Sequence, residues 1–442
     1  MRKSILTLAT LAVASSASAQ SSVTLFGVVD VAISRYSVKS EWYNNTANPF
    51  LLPPVGQPDS VKRSQTALSQ GNLATSRLGF RGTEDLGGGL AASFWLEGQI
   101  NPDDGSRGPQ NFNRRSTVSL SSNTLGELRL GRDYTPSFWN DTVFDPLGGV
   151  GTGISLINTI FTNLATVRGA ATTANPGTIS MGGSDSYVRT SNTIGYFLPP
   201  NLGGIYGQVQ YALHENTKQD NVPGTPSKKG RYFGGRLGYA KGPLDVAVAY
   251  GESTAGDVTT LTAAGLPTGA GFENTIKSAN LGASYDFGVV KLFGEVSVAR
   301  DELETRTVLG GALPLAVTVN EKDKYTGGLI GATVPVGPGL IRFAYQRVKF
   351  KNDPGLVLPT AFSPNRDASA NKIAISYVHN LSKRTALYAT AARIRVKNGE
   401  NNPTIMGATA LGSPQYLSTG NGVAGYRPRS ATGFDFGIRH AF

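Results

Sequence analysis

The sequence predicts an all-β fold, a sixteen-stranded antiparallel β-barrel that spans a membrane. Two patterns indicate it. Apolar and polar residues alternate with a period of two, and the connections between these segments are short and long in alternation along the chain. A third observation is that no apolar run beyond the N-terminal segment approaches the roughly 20 residues of a membrane helix. The alternation is clearest at 431–442, where one face carries Phe434, Phe436, Ile438, His440 and Phe442.

The N-terminal segment predicts a cleaved signal peptide over residues 1–19. Arg2 and Lys3 precede an apolar run at 5–14, and Ala17 and Ala19 form a small-residue cleavage site. The run is too short to cross a bilayer as a helix. Residues 20–442 show no shift in composition and no linker, so we expect them to form a single barrel domain in the outer membrane.

The strands are predicted in order from the alternation. The sixteen segments are 23–35, 77–86, 89–100, 114–122, 126–132, 187–198, 205–215, 231–240, 244–252, 278–288, 289–300, 324–336, 340–350, 370–381, 385–396 and 431–442. Most match the 9–11 residues of a tilted membrane strand, and an even number brings both chain ends to the same side.

The connections divide into two kinds. The tight ones are 86–89, 121–126, 199–204, 241–243, 337–339 and 381–384. The long ones are polar and rich in Gly, Pro, Asn and Thr, and they are 36–76, 101–113, 133–186, 216–230, 253–277, 301–323, 351–369 and 397–430. Short periplasmic turns and long outer loops are typical of bacterial barrels, whereas a soluble sandwich has no reason for such a bias.

Composition fits a barrel with a watery lumen. The chain has 55 glycines and only 39% hydrophobic residues, because only one face of each strand has to be apolar. It has no cysteine, which excludes disulfides and thiol chemistry. The net charge is +11, or +9 once Arg2 and Lys3 are removed, which favours anionic lipid head groups and anionic solutes as partners. Nucleic acid is not an expected partner, because no basic stripe is interleaved with aromatic residues.

Four stretches resemble the general porins of Gram-negative bacteria, most closely the beta-proteobacterial and neisserial branch. They are 22–30 (SVTLFGVVD), 76–90 (SRLGFRGTEDLGGGL), 125–134 (LGELRLGRDY) and 433–442 (GFDFGIRHAF). The resemblance covers the whole mature chain. It implies three sixteen-stranded barrels per homotrimer, with the third long loop folded into each lumen as a constriction. Loop 133–186 has the right place for this role, and its apolar stretch 154–167 would pack against the barrel wall.

Strand parity predicts an excess of positive charge in the lumen. The inward set comprises Arg77, Arg81, Arg115, Arg129, Arg189, Arg236, Arg342, Arg393 and Arg395, together with Asp30, Glu97, Glu127, Lys291 and Glu295. Arginine keeps its charge at any working pH, and a narrow aqueous throat between low-dielectric walls focuses the field. The sequence therefore predicts a pore that prefers anions.

The resemblance also implies which charges form the constriction. Arg77, Arg115 and Arg189 match its arginine side, with Arg81 and Arg129 nearby. The loop acids Asp133, Asp141, Asp145 and Asp185 would face them. Two interpretations stay open: the opposed charges act on passing solutes, or the arginines pair with the carboxylates and hold the loop down.

The predicted function is that of a general diffusion porin for ions and small hydrophilic solutes, with no catalytic, cofactor or metal site. His214, His379 and His440 stand apart and have no motif partners, and the G-x-G-x-x-G match at 420–425 lies in a loop with no strand before it. The alternatives are a substrate-selective channel and, less favoured, an adhesin or hydrolase that acts through its loops.

Charged groups in the predicted outer loops have two interpretations, solvated loop surface or contact with lipopolysaccharide phosphates, directly or through divalent ions. These groups are Asp301, Glu302 and Glu304, then Lys228, Lys229 and Arg231, and finally Lys39, Lys62 and Arg63.

Overall fold

A computed structural model describes residues 22–44, 56, 58–106, 108, 111–164, 187–215, 228–261, 267–309, 315–353, 367–400, 416–418 and 424–442. The predicted signal peptide, residues 1–19, lies outside the described residues. In the part of the chain that is described, no helix is long and apolar enough to cross a membrane.

Seventeen strands and three short helical segments make up the described structure. The strands are β1 Ser22–Asn44, β2 Ser60–Gln70, β3 Arg77–Gly87, β4 Leu90–Gln99, β5 Arg115–Ser122, β6 Gly126–Tyr134, β7 Arg189–Phe197, β8 Ile205–Ala212, β9 Tyr232–Lys241, β10 Leu244–Leu261, β11 Pro267–Asp286, β12 Lys291–Leu309, β13 Leu315–Val336, β14 Gly339–Asp353, β15 Ala368–Asn380, β16 Thr385–Lys397 and β17 Ala424–Ala441. The helices α1 (Pro136–Val143) and α2 (Leu156–Asn163) flank a 3-10 turn at Gly151–Gly153.

Sixteen of the strands close an antiparallel barrel. β1 pairs with β17 from Val28 to Asn44, toward the long-loop (upper) end of the barrel. Its first residues pair with β3, from Ser22↔Thr83 to Val28↔Arg77. Phe442 completes the seam, because its backbone exchanges hydrogen bonds with Gly27 at 3.0 and 3.1 Å. The remaining strand, β2, pairs with the upper half of β1, where β3 is absent. The predicted sixteen-stranded barrel is confirmed, with β2 as an addition.

Each predicted strand overlaps one barrel strand, but several predicted loops are wrong in their extent. Segment 36–76 contains the end of β1 and all of β2, and segments 253–277 and 301–323 are largely the upper ends of β10 to β13. The ladder continues there because backbone pairing does not require an apolar face, and above the lipid both faces of a strand can be polar.

Lipid-facing residues follow the predicted parity on most strands, as at Phe434 and Phe436, which are 52% and 63% exposed. On β16 the predicted parity is wrong. Ile394 is fully buried on the inner face, so Arg393 and Arg395 point outward, away from the lumen. The inner face of β16 is apolar because the third loop covers it, which reverses the usual pattern of a barrel strand.

Candidate functional site

The third loop enters the lumen directly after β6 and follows the inner wall. Thr135 caps α1, since its hydroxyl accepts a hydrogen bond from the Phe138 nitrogen at 3.2 Å and donates one to the Tyr187 carbonyl at 2.6 Å. Further along α1, the Asn140 amide donates to the Ala247 carbonyl of β10 at 3.2 Å. The helix is thereby fixed against the β9–β11 side of the barrel.

Beyond α1, the loop crosses to the strands that close the barrel and then turns back. The Thr152 nitrogen donates to Asp435 Oδ2 on β17 at 2.8 Å. Lys372 Nζ on β15 donates to the Ile154 carbonyl at 2.5 Å, and the Leu156 nitrogen donates to the side chain of Gln346 on β14 at 2.6 Å. These bonds satisfy backbone groups that would otherwise be buried without partners.

Apolar packing completes the attachment. Leu156, Ile157 and Ile160 of α2 are buried in one cluster with residues of β14 to β16. Two strand glycines make room for the loop: a Cβ at Gly327 would lie 2.6 Å from Ile157 Cγ1, and one at Gly282 would overlap the ring of Phe144. The prediction that the apolar part of the loop packs on the barrel wall is confirmed for its described residues.

The helical segments of the loop pack mainly against β8 to β11 and β13 to β17. The arc from β3 to β7, which α1 contacts at Tyr134 of β6, carries a cluster of arginines. We call this cluster the basic wall, and it comprises Arg77, Arg81, Arg114, Arg115, Arg129 and Arg189. Five of the six are the residues predicted for the arginine side of the constriction. The structure brings these five together on neighbouring strands.

Three carboxylates lie among these arginines. Glu97 accepts a hydrogen bond from Arg114 Nε at 2.5 Å and is 3.8 Å from Arg77 Nε. Asp133 is 2.7 Å from Arg129 and 3.6 Å from Arg115. The third carboxylate, Glu127, is 2.8 Å from Arg129 Nε. With six arginines and three carboxylates, the basic wall keeps an excess of positive charge.

Aromatic rings hold the guanidinium groups in place. The Arg81 guanidinium lies 5.4 Å from the Phe26 ring and 5.3 Å from the Trp95 ring, and Arg115 lies 4.7 Å from Trp95 on the strand beside it. Arg189 lies 4.4 Å from the ring of Tyr134, whose hydroxyl accepts its hydrogen bond at 2.9 Å. Such contacts orient an arginine without neutralising it. Arg81 forms no ion pair with a described residue.

The predicted loop acids occupy different places. Asp133 lies on β6 instead of in the loop, 6% exposed, and pairs with the basic wall from the same side. Asp141 on α1 is 2% exposed and accepts hydrogen bonds from Asn280 at 2.5 Å, Ser297 at 3.2 Å and the Tyr187 hydroxyl. Asp145 is 6% exposed and accepts from the backbone nitrogens of Leu147 and Gly149. Asp185 lies outside the described residues.

Burial raises the pKa of both wall-facing acids. Burial raises the pKa of Asp145 to about 6, although two backbone hydrogen bonds and the nearby Arg342 favour its charged form. Burial also raises the pKa of Asp141 well above its ordinary value, and the neighbouring Glu295 adds to the rise. Neither acid contacts an arginine of the basic wall, so their role as the opposite charge of the constriction stays a prediction.

Some of the inward-facing cations donate hydrogen bonds to the third loop and are covered by it. Arg236 Nε donates to Asn140 of α1 at 2.7 Å, and Arg342 donates to the Leu147 carbonyl at 3.4 Å. Parity placed both of them inward, but it could not show that the loop covers them. Sequence reasoning missed Lys372 and Arg114. Nothing in the surrounding sequence shows that Lys372 binds the third loop or that Arg114 pairs with Glu97.

The described residues contain no group of three or more His, Cys, Asp or Glu side chains placed to hold a metal ion. Of the three histidines, His379 contacts the Tyr377 hydroxyl at 3.1 Å and His440 contacts the Thr385 hydroxyl at 2.9 Å, both at the exposed short-turn end of the barrel. Neither of these contacts has the geometry of a catalytic triad.

Comparison with known proteins agrees with this architecture. The sequence profile of the Gram-negative porin family matches residues 6–399. The chain belongs to this family. The porin is 36% identical over 443 residues to outer membrane porin protein 32 of Delftia acidovorans, with both chains covered completely. It is 30% identical over 421 residues to an outer membrane porin protein of Bordetella pertussis, which covers 88% of this chain and 93% of the relative.

A solved structure resembles the porin along its whole length. It is described as an anion-selective porin from Comamonas acidovorans, with 32% sequence identity and a TM-score of 0.63, and the match covers 96% of this chain and 100% of that one. The porin is therefore an outer-membrane, multi-pass β-barrel that provides a channel for passive diffusion.

Proposed function

We propose that the porin passes inorganic ions and small hydrophilic solutes with a preference for anions, and that the basic wall sets this preference. The carrying observation is the charge imbalance between the two sides of the lumen. The basic wall holds six arginines and three carboxylates, while Asp141 and Asp145 of the loop are buried against the far wall. Low-dielectric walls concentrate the resulting field, which raises the local concentration of anions.

The relatives support this proposal. The solved structure with 32% identity is described as anion-selective, and sequence parity alone predicts an excess of lumen arginines. The open interpretation that the arginines only hold the loop down is less favoured, because Asp141 and Asp145 of the loop bind other partners and Asp133, which does pair with the arginines, lies on β6. Arg81 and Arg189 form no ion pair with a described residue, and the basic wall as a whole keeps an excess of positive charge for a passing solute.

The decisive experiment is a reversal potential in a planar bilayer under a KCl gradient. We expect the native porin to give an anion-selective potential and the triple variant R77Q/R115Q/R189Q to lose most of it. A matched control is R347Q/R393Q/R395Q, which removes three outward-facing arginines and should leave the selectivity unchanged. A cation-selective native channel would contradict the proposal, as would equal effects of the two variants.

A substrate-selective channel is the alternative. It predicts that the current of its preferred anion saturates at low concentration, because a tight site fills before diffusion becomes limiting. A current that rises linearly with the concentration of several unrelated anions supports general diffusion instead.

We further propose that the porin assembles as a homotrimer, as the family resemblance implies, and that catalysis plays no part in its function. Native mass spectrometry of the unheated, detergent-solubilised porin should give a mass of three chains. The mass of each chain also tests the signal peptide, since cleavage after Ala19 leaves Gln20 as the first residue of the barrel domain 20–442. A dominant monomer would contradict the trimer.

The outer membrane lipid is the remaining proposed partner. Of the charged groups predicted to contact lipopolysaccharide from loops, Lys39 and Lys62 lie on β1 and β2, where they pair in the ladder. Glu302 lies on β12 and forms an ion pair with Lys277 at 2.8 Å. The proposed contact with lipid therefore includes strand surfaces as well as loops.

A further inference from the structure

The outward faces of β14 and β16 change from apolar to cationic at the same level. On β14, Tyr345 is followed on the lipid-facing side by Arg347 and Lys349, all of them exposed. On β16, the outward alanines at 389 and 391 are followed by exposed basic residues at 393, 395 and 397. Both changes occur toward the long-loop end of the barrel. That is the end at which the outer leaflet lies.

The strand register places four of these cations around a small polar area. Arg347, Asn371 and Arg395 form one row across β14, β15 and β16, and Lys349, Ser369 and Lys397 form the next row. Two strand spacings separate the outer columns by about 10 Å, and two residues separate the rows by about 7 Å. We call the four cations Arg347, Lys349, Arg395 and Lys397 the outer basic patch.

The outer basic patch is not neutralised by the protein. None of its four cations forms an ion pair within the described ranges, and the outward residues of β15 between them, Asn371 and Ser369, carry no charge. A different arrangement exists on β11 and β12, where outward Lys277 pairs with Glu302 at 2.8 Å. Four unpaired cations this close together repel one another and favour an anionic partner.

Below the patch the surface becomes apolar on β14 and β15, while on β16 one more cation, Arg393, lies beside Ile373. Ile373 and Ile375 on β15 are 48% and 51% exposed, and Tyr345 stands beside Ile373 in the ladder. An aromatic residue at the upper limit of an apolar band marks the level of the lipid head groups. A partner of this surface therefore needs an anionic head above an apolar body.

We propose that the outer basic patch binds the phosphate groups of lipopolysaccharide in the outer leaflet, with the acyl chains lying on the apolar surface below. The proposal rests on the lipid contact proposed above and deepens it, because it names strand cations instead of loop charges. Guanidinium and ammonium groups suit phosphate, and desolvation near the head-group level strengthens their attraction. The small side chain of Ser369 leaves room for the head group between the columns.

The test is a titration of the detergent-solubilised porin with fluorescent lipid A, using the variant K349Q/R395Q/K397Q. We expect its affinity to be lower by roughly tenfold or more. The matched control K241Q/K383Q/R384Q also removes two lysines and one arginine, but at the short-turn end, and it should bind as the native porin does. Dephosphorylated lipid A should bind weakly to all three proteins. The charge-conserving variant K349R/K397R should keep the native affinity.

Equal affinity of the patch variant and the native porin for lipid A would overturn the proposal. So would a loss of affinity that persists with dephosphorylated lipid A, since it would indicate a purely apolar site. Dissociation of the oligomer with unchanged lipid affinity would assign the patch to a subunit contact instead. Heat-dependent gel migration verifies folding. The KCl reversal potential should stay native in every variant, so failure here is separable from failure of the anion-selective pore.

Discussion

The carboxylate of Asp435 on β17 accepts a hydrogen bond from the backbone nitrogen of Thr152 at 2.8 Å, across 283 positions of the chain. The same carboxylate accepts from the Ser34 hydroxyl of β1 at 2.7 Å. One buried group therefore joins the third loop to the two strands that close the barrel. The loop and the closure seam are stabilised by the same side chain.

Asp435→Ala should loosen the loop without opening the barrel. The loss of hydrogen bonds to a charged, buried acceptor costs about 2 kcal/mol, and the Thr152 nitrogen is left without its partner. We expect single-channel recordings to show more frequent conductance fluctuations. Asp85→Ala is a matched control, because Asp85 accepts from the Gly87 nitrogen at 2.9 Å in an exposed turn far from the loop. Equal noise in the two variants would argue against this anchoring role.

The sequence was sufficient for the membrane-spanning part of the fold. A strand with lipid on one side and water on the other alternates with period two, and the tight turns mark where neighbouring strands meet. Beyond the lipid, at the long-loop end of the barrel, water can contact both faces of a strand and the period-two pattern disappears. For that reason the upper parts of β10 to β13, and all of β2, were predicted as loops although their backbones pair.

The candidate site was predictable to a smaller extent. Five of the six arginines of the basic wall follow from parity, because the described helical segments of the loop pack mainly on other strands. The error at Arg393 and Arg395 has the opposite cause: Ile394 and Val396 are large and apolar on the inner face because α2 packs there. The sequence also could not predict which wall Asp141 and Asp145 face. They lie on or beside a short helix of a loop, where no period-two pattern indicates the strand that the side chain contacts.

Gly327→Ala should displace α2 from the wall. The new methyl group would lie 2.6 Å from Ile157 Cγ1, and overpacking of this kind costs about 1–3 kcal/mol. The midpoint of heat-dependent gel migration should fall. Gly294→Ala on β12 should be neutral, since no atom lies within 4 Å of the added carbon. Adding Ile157→Ala to Gly327→Ala should recover part of the loss, and a purely additive result would show that the two side chains do not collide.

Asp145 should make the attachment of the loop pH-dependent. Its pKa is raised to about 6 in the folded chain from an ordinary value of 3.8, so between these values the folded state holds a proton that the unfolded state has released. The free energy of unfolding must then fall as the pH rises from 3.8 to about 6, by roughly 2 kcal/mol or somewhat more. Thermal midpoints measured across this range should show the fall in the native porin and a smaller one in Asp145→Asn. A rise over the same range in the native porin that the variant lacks would mean that Asp145 is charged when folded.

Glu97→Gln should increase the anion preference while weakening the barrel. Glu97 is the acid partner of Arg114 at 2.5 Å and of Arg77 at 3.8 Å, and its side chain is 7% exposed. Its removal adds one positive charge to the lumen and leaves Arg114 buried without its partner, which costs about 3 kcal/mol. The reversal potential in a KCl gradient should shift further toward chloride as the thermal midpoint falls.

Arg114→Gln provides the complementary measurement. It should shift the reversal potential the other way, because it removes one positive charge from the lumen and leaves Glu97 only the longer contact with Arg77, and it should also destabilise the barrel. The double variant Glu97→Gln, Arg114→Gln restores the charge balance, so its selectivity should return close to that of the native porin and its stability should exceed that of either single variant. If the single variants instead shift the potential in the same direction, the pair acts by positioning neighbouring arginines and its own charges do not reach the passing ion.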